Sequence, residues 1–302
     1  MPFALPRPHS PVTGILFLLC AMAVLPFLDV VAKFLGRQEV PVVEIVWARL
    51  FFGVLLTLPF VLHGRDARVF IPTTPLIQTI RCFFNIAATA CFFWSLKYLP
   101  IADTLAIFFV QPLIVTLLSP LILREHVGIR RWSAVFIGFI GTLIIIRPGF
   151  QAINPGVLFA LGAGSLSALY LILTRMIAGK ADPIVTTFHT NFVSVIMVSA
   201  ILPFFWEMPS LEQWGLFVLL AICGTTGHFM IVLAYRHAEA SLLAPLAYTE
   251  MIMATAAGWW FFGDFPDRWT FVGVGVLIAC AIYISYRERK HGIRAEPEAP
   301  QP

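Results

Sequence analysis

The sequence contains few charged residues. Asp, Glu, Lys and Arg make up 12% of its 302 residues, whereas about 25% is usual in soluble domains. Hydrophobic residues make up 59%, and the mean hydropathy is +0.88. This composition excludes an ordinary soluble domain and indicates a polytopic protein of the lipid bilayer. The basic residues form no stripe, so binding to nucleic acid is not expected.

Motifs for disulfides, metals and catalysis are also missing. The cysteines stand singly in apolar segments, without CxxC or zinc-type spacing, and are expected to be small buried side chains. They are Cys20, Cys82, Cys91, Cys223 and Cys280. The sequence has no HExxH motif, no paired-aspartate metal motif and no loop long enough for an interfacial active site. We therefore expect no cofactor, no metal and no catalytic residue, and a membrane-embedded lipid-modifying enzyme is the weaker alternative.

What the sequence does contain is a series of long apolar runs. A helix needs about 20 residues to cross the hydrocarbon core. On this criterion the predicted transmembrane helices cover 12–35, 42–62, 74–96, 101–123, 131–147, 156–178, 184–205, 213–235, 240–262 and 269–286. Residues 1–11 are expected to form a short N-terminal tail, and residues 287–302 a disordered C-terminal tail. The predicted fold class is an all-α polytopic membrane protein with ten transmembrane helices.

Basic residues are distributed unevenly between the two ends of these helices. Most of them, including Arg65, Arg68 and the group from Arg287 to Lys290, fall on the side of the N-terminus. Lys and Arg are enriched in cytoplasmic loops. Both termini are therefore predicted to be cytoplasmic.

The two halves of the chain repeat weakly but in unbroken order. Gly14, Lys33, Pro41 and Arg49 correspond to Gly156, Arg175, Pro183 and Asn191, and Lys97, Gln111 and Glu125 correspond to Arg236, Glu250 and Asp264. Each half has five predicted helices, an odd number, so the second half must enter the membrane from the opposite side. Such inverted five-helix repeats are typical of secondary transporters, whose substrate site lies at the midplane between the repeats.

Two segments also resemble a known family. The run LKYLPIADTLAIFFVQPLIVTLLSPLILREHVGIRRWSAVFIGFIGTLIIIRPG at 96–149 resembles the EamA-type module of the drug/metabolite transporter superfamily. The segment 234–289, ending PDRWTFVGVGVLIACAIYISYRE, resembles a second copy. The helix-2 motif WARLFFG is similar to branches that include S-adenosylmethionine and riboflavin importers and organic-anion relatives. One departure is Glu250, because many second modules have an apolar residue after the Tyr-Thr pair.

The resemblance implies two inverted modules, at 12–149 and 150–286, and a secondary transporter in the bacterial cytoplasmic membrane. The expected substrate is a small organic metabolite, such as an amino acid, a nucleoside or a vitamin, moved by alternating access and coupled to a proton. The alternative is an exchanger or exporter of the same fold without proton coupling. Small residues on helices 5 and 10 predict close packing, either within one chain or in a homodimer. They are Ala134, Gly138, Gly141, Gly275 and Ala279.

Glu250 lies near the middle of the predicted ninth helix. A charged side chain there costs roughly 2.5 to 3.5 kcal/mol and usually faces a cavity or the bundle interior. At 1.5 Å per residue, Glu250 and Gln111 are each about 15 Å deep, half of the roughly 30 Å core. We predict that both line a substrate cavity. Because removal from water favours a neutral carboxyl, Glu250 is also a predicted proton carrier; the alternative is a protonated, hydrogen-bonded bundle residue.

Arg49 and Asn191 form a second matched pair, about 12 Å deep on the same scale. Arg49 and Glu44 lie on different faces of their helix, so Arg49 needs a partner on another helix. Glu250 or a substrate carboxylate would serve. The alternative is a structural arginine that braces neighbouring helices.

The remaining predicted cavity residues are polar side chains within apolar helices. They are Asn85, Tyr170, His228 and Tyr248. An imidazole titrates near neutral pH, which makes His228 a second candidate proton carrier. Each of the four is also consistent with hydrogen bonding between helices. Arg81 and Asp103 lie close to predicted helix starts and are expected at the membrane interface.

Overall fold

The computed structural model describes residues 11–62, 74–122, 129–146, 154–177, 183–238 and 240–292. These residues form helices and connecting turns, with no strand among them. The helices are α1 Pro11–Arg37, α2 Val42–Leu62, α3 Pro75–Tyr98, α4 Ile101–Phe108, α5 Gln111–Ile122, α6 Ile129–Ile146, α7 Pro155–Met176, α8 Pro183–Ile201, α9 Leu211–His237, α10 Ala240–Leu243, α11 Glu250–Phe262 and α12 Arg268–Gly292. Two short 3-10 segments, Leu202–Phe204 and Ala244–Thr249, complete the described elements.

The all-helical class is confirmed. Within the described ranges, 7 spans are long and apolar enough to cross a membrane, and the α4–α5 pair counts as one of them. Phe136–Ile146 and Arg268–Cys280 are shorter apolar helices. The ten-helix count therefore stays a prediction.

Two of the predicted helices are broken. The chain leaves the helical path at Phe109 and Val110, between α4 and α5, and it forms the 3-10 segment Ala244–Thr249 between α10 and α11. Each break lies next to a proline, Pro112 or Pro245. Proline has no amide hydrogen and crowds the preceding turn, so it interrupts a continuous helix. As a result, Gln111 begins α5 and Glu250 begins α11.

The C-terminal helix is longer than the sequence predicted. The prediction ended this helix at residue 286, but α12 continues to Gly292. The start of the predicted disordered tail is thus helical, because Tyr286 to Lys290 contains strong helix formers and no glycine or proline. The rest of that tail, 293–302, and residues 1–10 lie outside the described residues.

Close packing between α6 and α12 involves one of the small residues predicted on these helices, Gly141. A Cβ added to Gly141 would lie 3.0 Å from Val276 Cγ1 and 3.1 Å from the Gly273 carbonyl oxygen. A Cβ on Gly138 would lie 2.6 Å from Leu113 Cδ2, whereas Gly275 has nothing within 4 Å. These contacts are made within one chain.

The bundle has two different ends. At one end, which we call the latch end, the last turn of α1, the start of α2 and the end of α8 meet. There Glu44 accepts a hydrogen bond from the Glu207 amide at 2.5 Å, and Trp47 Nε1 donates to Ser199 Oγ at 3.0 Å. The opposite end, which we call the cavity end, contains the end of α2, the start of α8 and the end of α9.

Candidate functional site

A cavity lies between α2, α8 and α9. Its volume is about 70 Å³, which is smaller than the roughly 300 Å³ at which small-molecule sites usually begin. Its lining combines a guanidinium, an amide, an imidazole and three threonine hydroxyls with two apolar side chains and a glycine. The lining residues are Arg49, Thr57, Thr187, Asn191, Gly224, Thr225, His228, Phe229 and Val232. The predicted residues Arg49, Asn191 and His228 are therefore brought together in one cavity.

Arg49 is held by two side chains from other helices. Its Nη1 donates to Thr89 Oγ1 of α3 at 3.3 Å, and its Nη2 lies 2.9 Å from His228 Nε2 of α9. A guanidinium has donors and no acceptor, so His228 accepts through Nε2 and carries its hydrogen on Nδ1. The imidazole is therefore neutral in this arrangement. As the sequence predicted, Arg49 finds its partners on other helices.

Three helices of the cavity meet beside Gly53 of α2. A Cβ added there would lie 3.4 Å from Asn191 Nδ2 of α8 and 3.5 Å from Thr225 Oγ1 of α9, in ordinary van der Waals contact with both. Asn191 then lies on the same cavity wall as Thr225.

Asp29 is a site residue that the sequence analysis missed. It lies within α1, is 5% exposed and interacts electrostatically with both Arg49 and Glu250. The carboxyl group that interacts with Arg49 is thus that of Asp29, where the sequence had suggested Glu250. The signal was present, because Asp29 lies inside a long apolar run, the same criterion that singled out Glu250.

The two helix breaks contact each other. Phe109, in the α4–α5 break, and Tyr248, in the 3-10 segment before α11, have ring centroids 4.7 Å apart. Gln111 lies two residues after Phe109, and Glu250 lies two residues after Tyr248. Gln111 Nε2 donates to Ser167 Oγ of α7 at 2.7 Å. Gln111, Tyr248 and Glu250 therefore surround the crossing of the broken helices and are not among the residues that line the cavity.

Tyr170 and Asn85 lie near the cavity without lining it. Tyr170 of α7 interacts electrostatically with Arg49, and the Arg81 guanidinium lies 5.3 Å from its ring centroid. Asn85 is half-buried on α3. It precedes Thr89 by one helical turn, so the two residues share a face.

Arg81, which the sequence led us to expect at the membrane interface, is buried between helices. Its side chain is 1% exposed, and its guanidinium donates to Thr174 Oγ1 and the Thr186 carbonyl oxygen, each at 3.2 Å, and to Thr190 Oγ1. These bonds join α3 to α7 and α8. The sequence shows only how far Arg81 is from its helix start, whereas its burial depends on helices that are distant in the chain.

A substitution at Gly224 tests whether the surroundings of the Arg49 side chain affect the binding of a solute. A Cβ there would lie 2.6 Å from Leu28 Cδ1 and 3.5 Å from Arg49 Nε. We expect Gly224→Ala to displace the Leu28 side chain, to place a methyl group in van der Waals contact with Arg49, and to raise the KM of the expected transport about fivefold. The matched control is Gly215→Ala on the same helix, where nothing lies within 4 Å of the added Cβ. Equal KM values for the two variants would contradict a role for this contact.

The chain matches the family model described as EamA-like transporter family, over residues 12–147 and 154–286. The first match lies in the first half of the chain and the second match in the second half. Together they cover most of the sequence.

Curated relatives are similar over nearly their full length. An S-adenosylmethionine uptake transporter of Rickettsia prowazekii is 25% identical over 92% of this chain and 94% of its own length. A riboflavin transporter of Vibrio cholerae is 26% identical over 95% and 97%, and the pseudopaline exporter CntI of Pseudomonas aeruginosa is 25% identical over 84% and 89%.

A solved crystal structure also has a similar fold. It matches with a TM-score of 0.63 at 17% identity and covers 94% of this chain and 99% of that chain. At this identity the likeness concerns the fold alone.

Proposed function

Because this chain belongs to the EamA-like transporter family of the drug/metabolite transporter superfamily, we propose that it is a secondary transporter. It moves a small organic metabolite across the bacterial cytoplasmic membrane by alternating access. The observation that carries this proposal is the polar cavity around Arg49, His228 and Asn191. A buried guanidinium, an amide and several hydroxyls between apolar helices suit a polar solute that must cross hydrocarbon.

The broken helices support an inverted-repeat arrangement of ten helices. Each proposed repeat contains one break, each break is followed by a polar residue, and Phe109 and Tyr248 bring the two breaks into contact. Discontinuous helices that meet near the midplane are a feature of transporters built from inverted repeats. In this arrangement α5 begins at Gln111 and α11 begins at Glu250.

Proton coupling is assigned to Glu250. His228 accepts a hydrogen bond from Arg49 through Nε2, and this contact requires a neutral ring. Protonation of His228 would therefore break the contact and place a cation beside the guanidinium. No such contact fixes the protonation state of Glu250 among the described residues. Glu250 interacts electrostatically with Asp29, and Asp29 interacts in turn with Arg49.

An exchanger without proton coupling is the second candidate. None of the described residues that line the cavity carries a carboxylate. A substrate bound there would contact Arg49 and the hydroxyls without touching Glu250. In this case the gradient of one solute drives the transport of the other, and Glu250 is a structural group.

The relatives guide the choice of substrates to test. Their names specify S-adenosylmethionine, riboflavin and pseudopaline, all larger than a single amino acid. The cavity has hydrogen-bond donors from Arg49 and Asn191, which favour solutes with carboxylate or carbonyl oxygens. In the predicted orientation, with both termini in the cytoplasm, the cavity end faces the cytoplasm.

Uptake into proteoliposomes tests the proposal. The purified protein is reconstituted and offered a pool of amino acids, nucleosides and vitamins that includes S-adenosylmethionine and riboflavin, and the lumen is analysed by mass spectrometry. We expect at least one compound to enter faster than into protein-free liposomes and to exchange with internal solute. If no compound crosses in either direction, the transporter assignment fails and the lipid-enzyme alternative is favoured.

A further inference from the structure

An ion pair joins the two halves of the chain at the latch end. Lys33 Nζ lies 2.7 Å from Asp264 Oδ2, and the two side chains are 7% and 26% exposed. The same ammonium donates to the Leu99 carbonyl oxygen at 2.9 Å. One group thus links the last turns of α1, the turn between α3 and α4, and the loop between α11 and α12.

Aromatic side chains enclose this ion pair. The Phe262 ring centroid lies 5.1 Å from Lys33 Nζ and 4.5 Å from the Arg37 guanidinium. Phe34 packs against Phe262 with ring centroids 4.9 Å apart. The ring faces shield the ammonium and attract it through cation–π interaction. The ion pair is therefore sheltered from water, unlike an ordinary surface salt bridge.

The cavity lies toward the other end of the bundle. On α2 it is lined by Arg49 and, farther from the latch end, by Thr57; on α9 it extends to Val232, close to the helix end at His237. The latch end, by contrast, is closed by the ion pair and by the contacts of Glu44 and Trp47. The Lys33–Asp264 ion pair therefore lies at the end of the bundle opposite to the cavity.

From this geometry we infer that Lys33 and Asp264 belong to the transport machinery as its gate at the latch end. This inference rests on the proposed transport function. The ion pair holds the latch end closed while the substrate site faces the cavity end, and it breaks and re-forms once in each cycle. A hydrogen-bonded charge pair is suited to this task, because both groups regain hydration when the halves separate.

A less buried ion pair at the same end provides a matched control. Lys97 Nζ lies 3.9 Å from Glu39 Oε2, and the Glu39 side chain is 88% exposed. Exposed pairs with this geometry contribute little. Lys97→Gln therefore removes a charge pair from the latch end without opening it.

Distance measurement between spin labels tests the gate without requiring a substrate. Labels are placed on cysteines at Gln38 and Phe265, two exposed positions on either side of the ion pair, in a background without the five native cysteines. This background is accepted when it is monodisperse and as thermally stable as the wild type. Double electron–electron resonance is recorded for the labelled parent, Lys33→Met, Asp264→Asn, the double variant and Lys97→Gln.

We expect each single gate variant to shift the ratio of long to short distances about tenfold toward the long ones. The double variant is expected to equal the single variants, because the interaction can be lost only once. Lys97→Gln should match the parent. If the distances in Lys33→Met and Asp264→Asn equal those of the labelled parent, the ion pair is a static brace and not a gate. This conclusion holds whatever the transport measurement gives.

Uptake measured with the same variants distinguishes a failure of the gate inference from a failure of the proposed transport function. If the protein is a transporter, the gate variants lose about tenfold in maximal rate, while Lys97→Gln keeps the parent rate. Full rates in both gate variants would contradict the inference. Long distances together with no flux in the unlabelled wild type would retain the movement and reject the transport function.

Discussion

Arg49→Gln is expected to lower uptake about 100-fold. Loss of a hydrogen-bonded charge costs about 2 to 5 kcal/mol where the charge is buried; Arg49 is half-buried, so the lower part of this range applies, and about 1.4 kcal/mol corresponds to a factor of ten. The substitution removes the guanidinium that bonds Thr89 and His228 and leaves Asp29 without a nearby cation. Initial uptake rates in proteoliposomes over a range of substrate concentrations provide the measurement.

Arg49→Lys and an exposed arginine serve as controls. Lysine keeps the charge but not the planar fork that reaches Thr89 and His228 together, so most of the loss is expected to persist. Arg268→Gln changes an exposed arginine beside Trp269 and should leave uptake unchanged. Wild-type uptake by Arg49→Gln would exclude Arg49 from the site. A variant that is inactive and also unfolds at lower temperature would instead support the bracing alternative.

Glu250→Gln is expected to abolish the response of uptake to a proton gradient. With one proton per substrate, a gradient of about one pH unit raises accumulation at equilibrium about tenfold. Gln has nearly the same shape as Glu but cannot release a proton. Solute exchange without a gradient should persist, because the cavity itself is unchanged. Uptake by mass spectrometry with and without an inward proton gradient measures both quantities.

The corresponding residue of the first half offers a matched variant. Gln111 begins α5 as Glu250 begins α11, so Gln111→Glu combined with Glu250→Gln moves the carboxyl from one break to the other. Recovery of the gradient response in the double variant would show that a carboxyl at the crossing of the breaks suffices. A gradient response retained by Glu250→Gln alone would contradict the proton role and favour the exchanger.

Much of the fold follows from the spacing of apolar runs. Backbone amides cannot stay unpaired in hydrocarbon, so apolar runs of this length become helices whatever their neighbours are. The observed starts of α2 at Val42 and α4 at Ile101 coincide with the predicted ones. The end of α12 was predicted less well, because outside the membrane the polarity of residues 287–292 does not distinguish helix from coil.

The site was only partly predictable. Depth along a helix can be counted from the sequence, and this placed Arg49 and Asn191 in the same layer before the cavity was seen. The rotation of a helix about its axis and the partners of its side chains cannot be counted from the sequence in this way. The sequence therefore did not show that Arg81 is buried against α7 and α8, or that Gln111 donates a hydrogen bond to Ser167.

The sequence by itself determined a membrane-embedded helical protein of two related halves, because composition, run length and repeat are properties of the chain alone. Only the tertiary structure decided which polar groups meet. Arg49 joins His228 and Asp29, and Lys33 joins Asp264 across the halves. These pairs bring together helices far apart in the chain, and their geometry depends on how each helix is rotated and packed against the others.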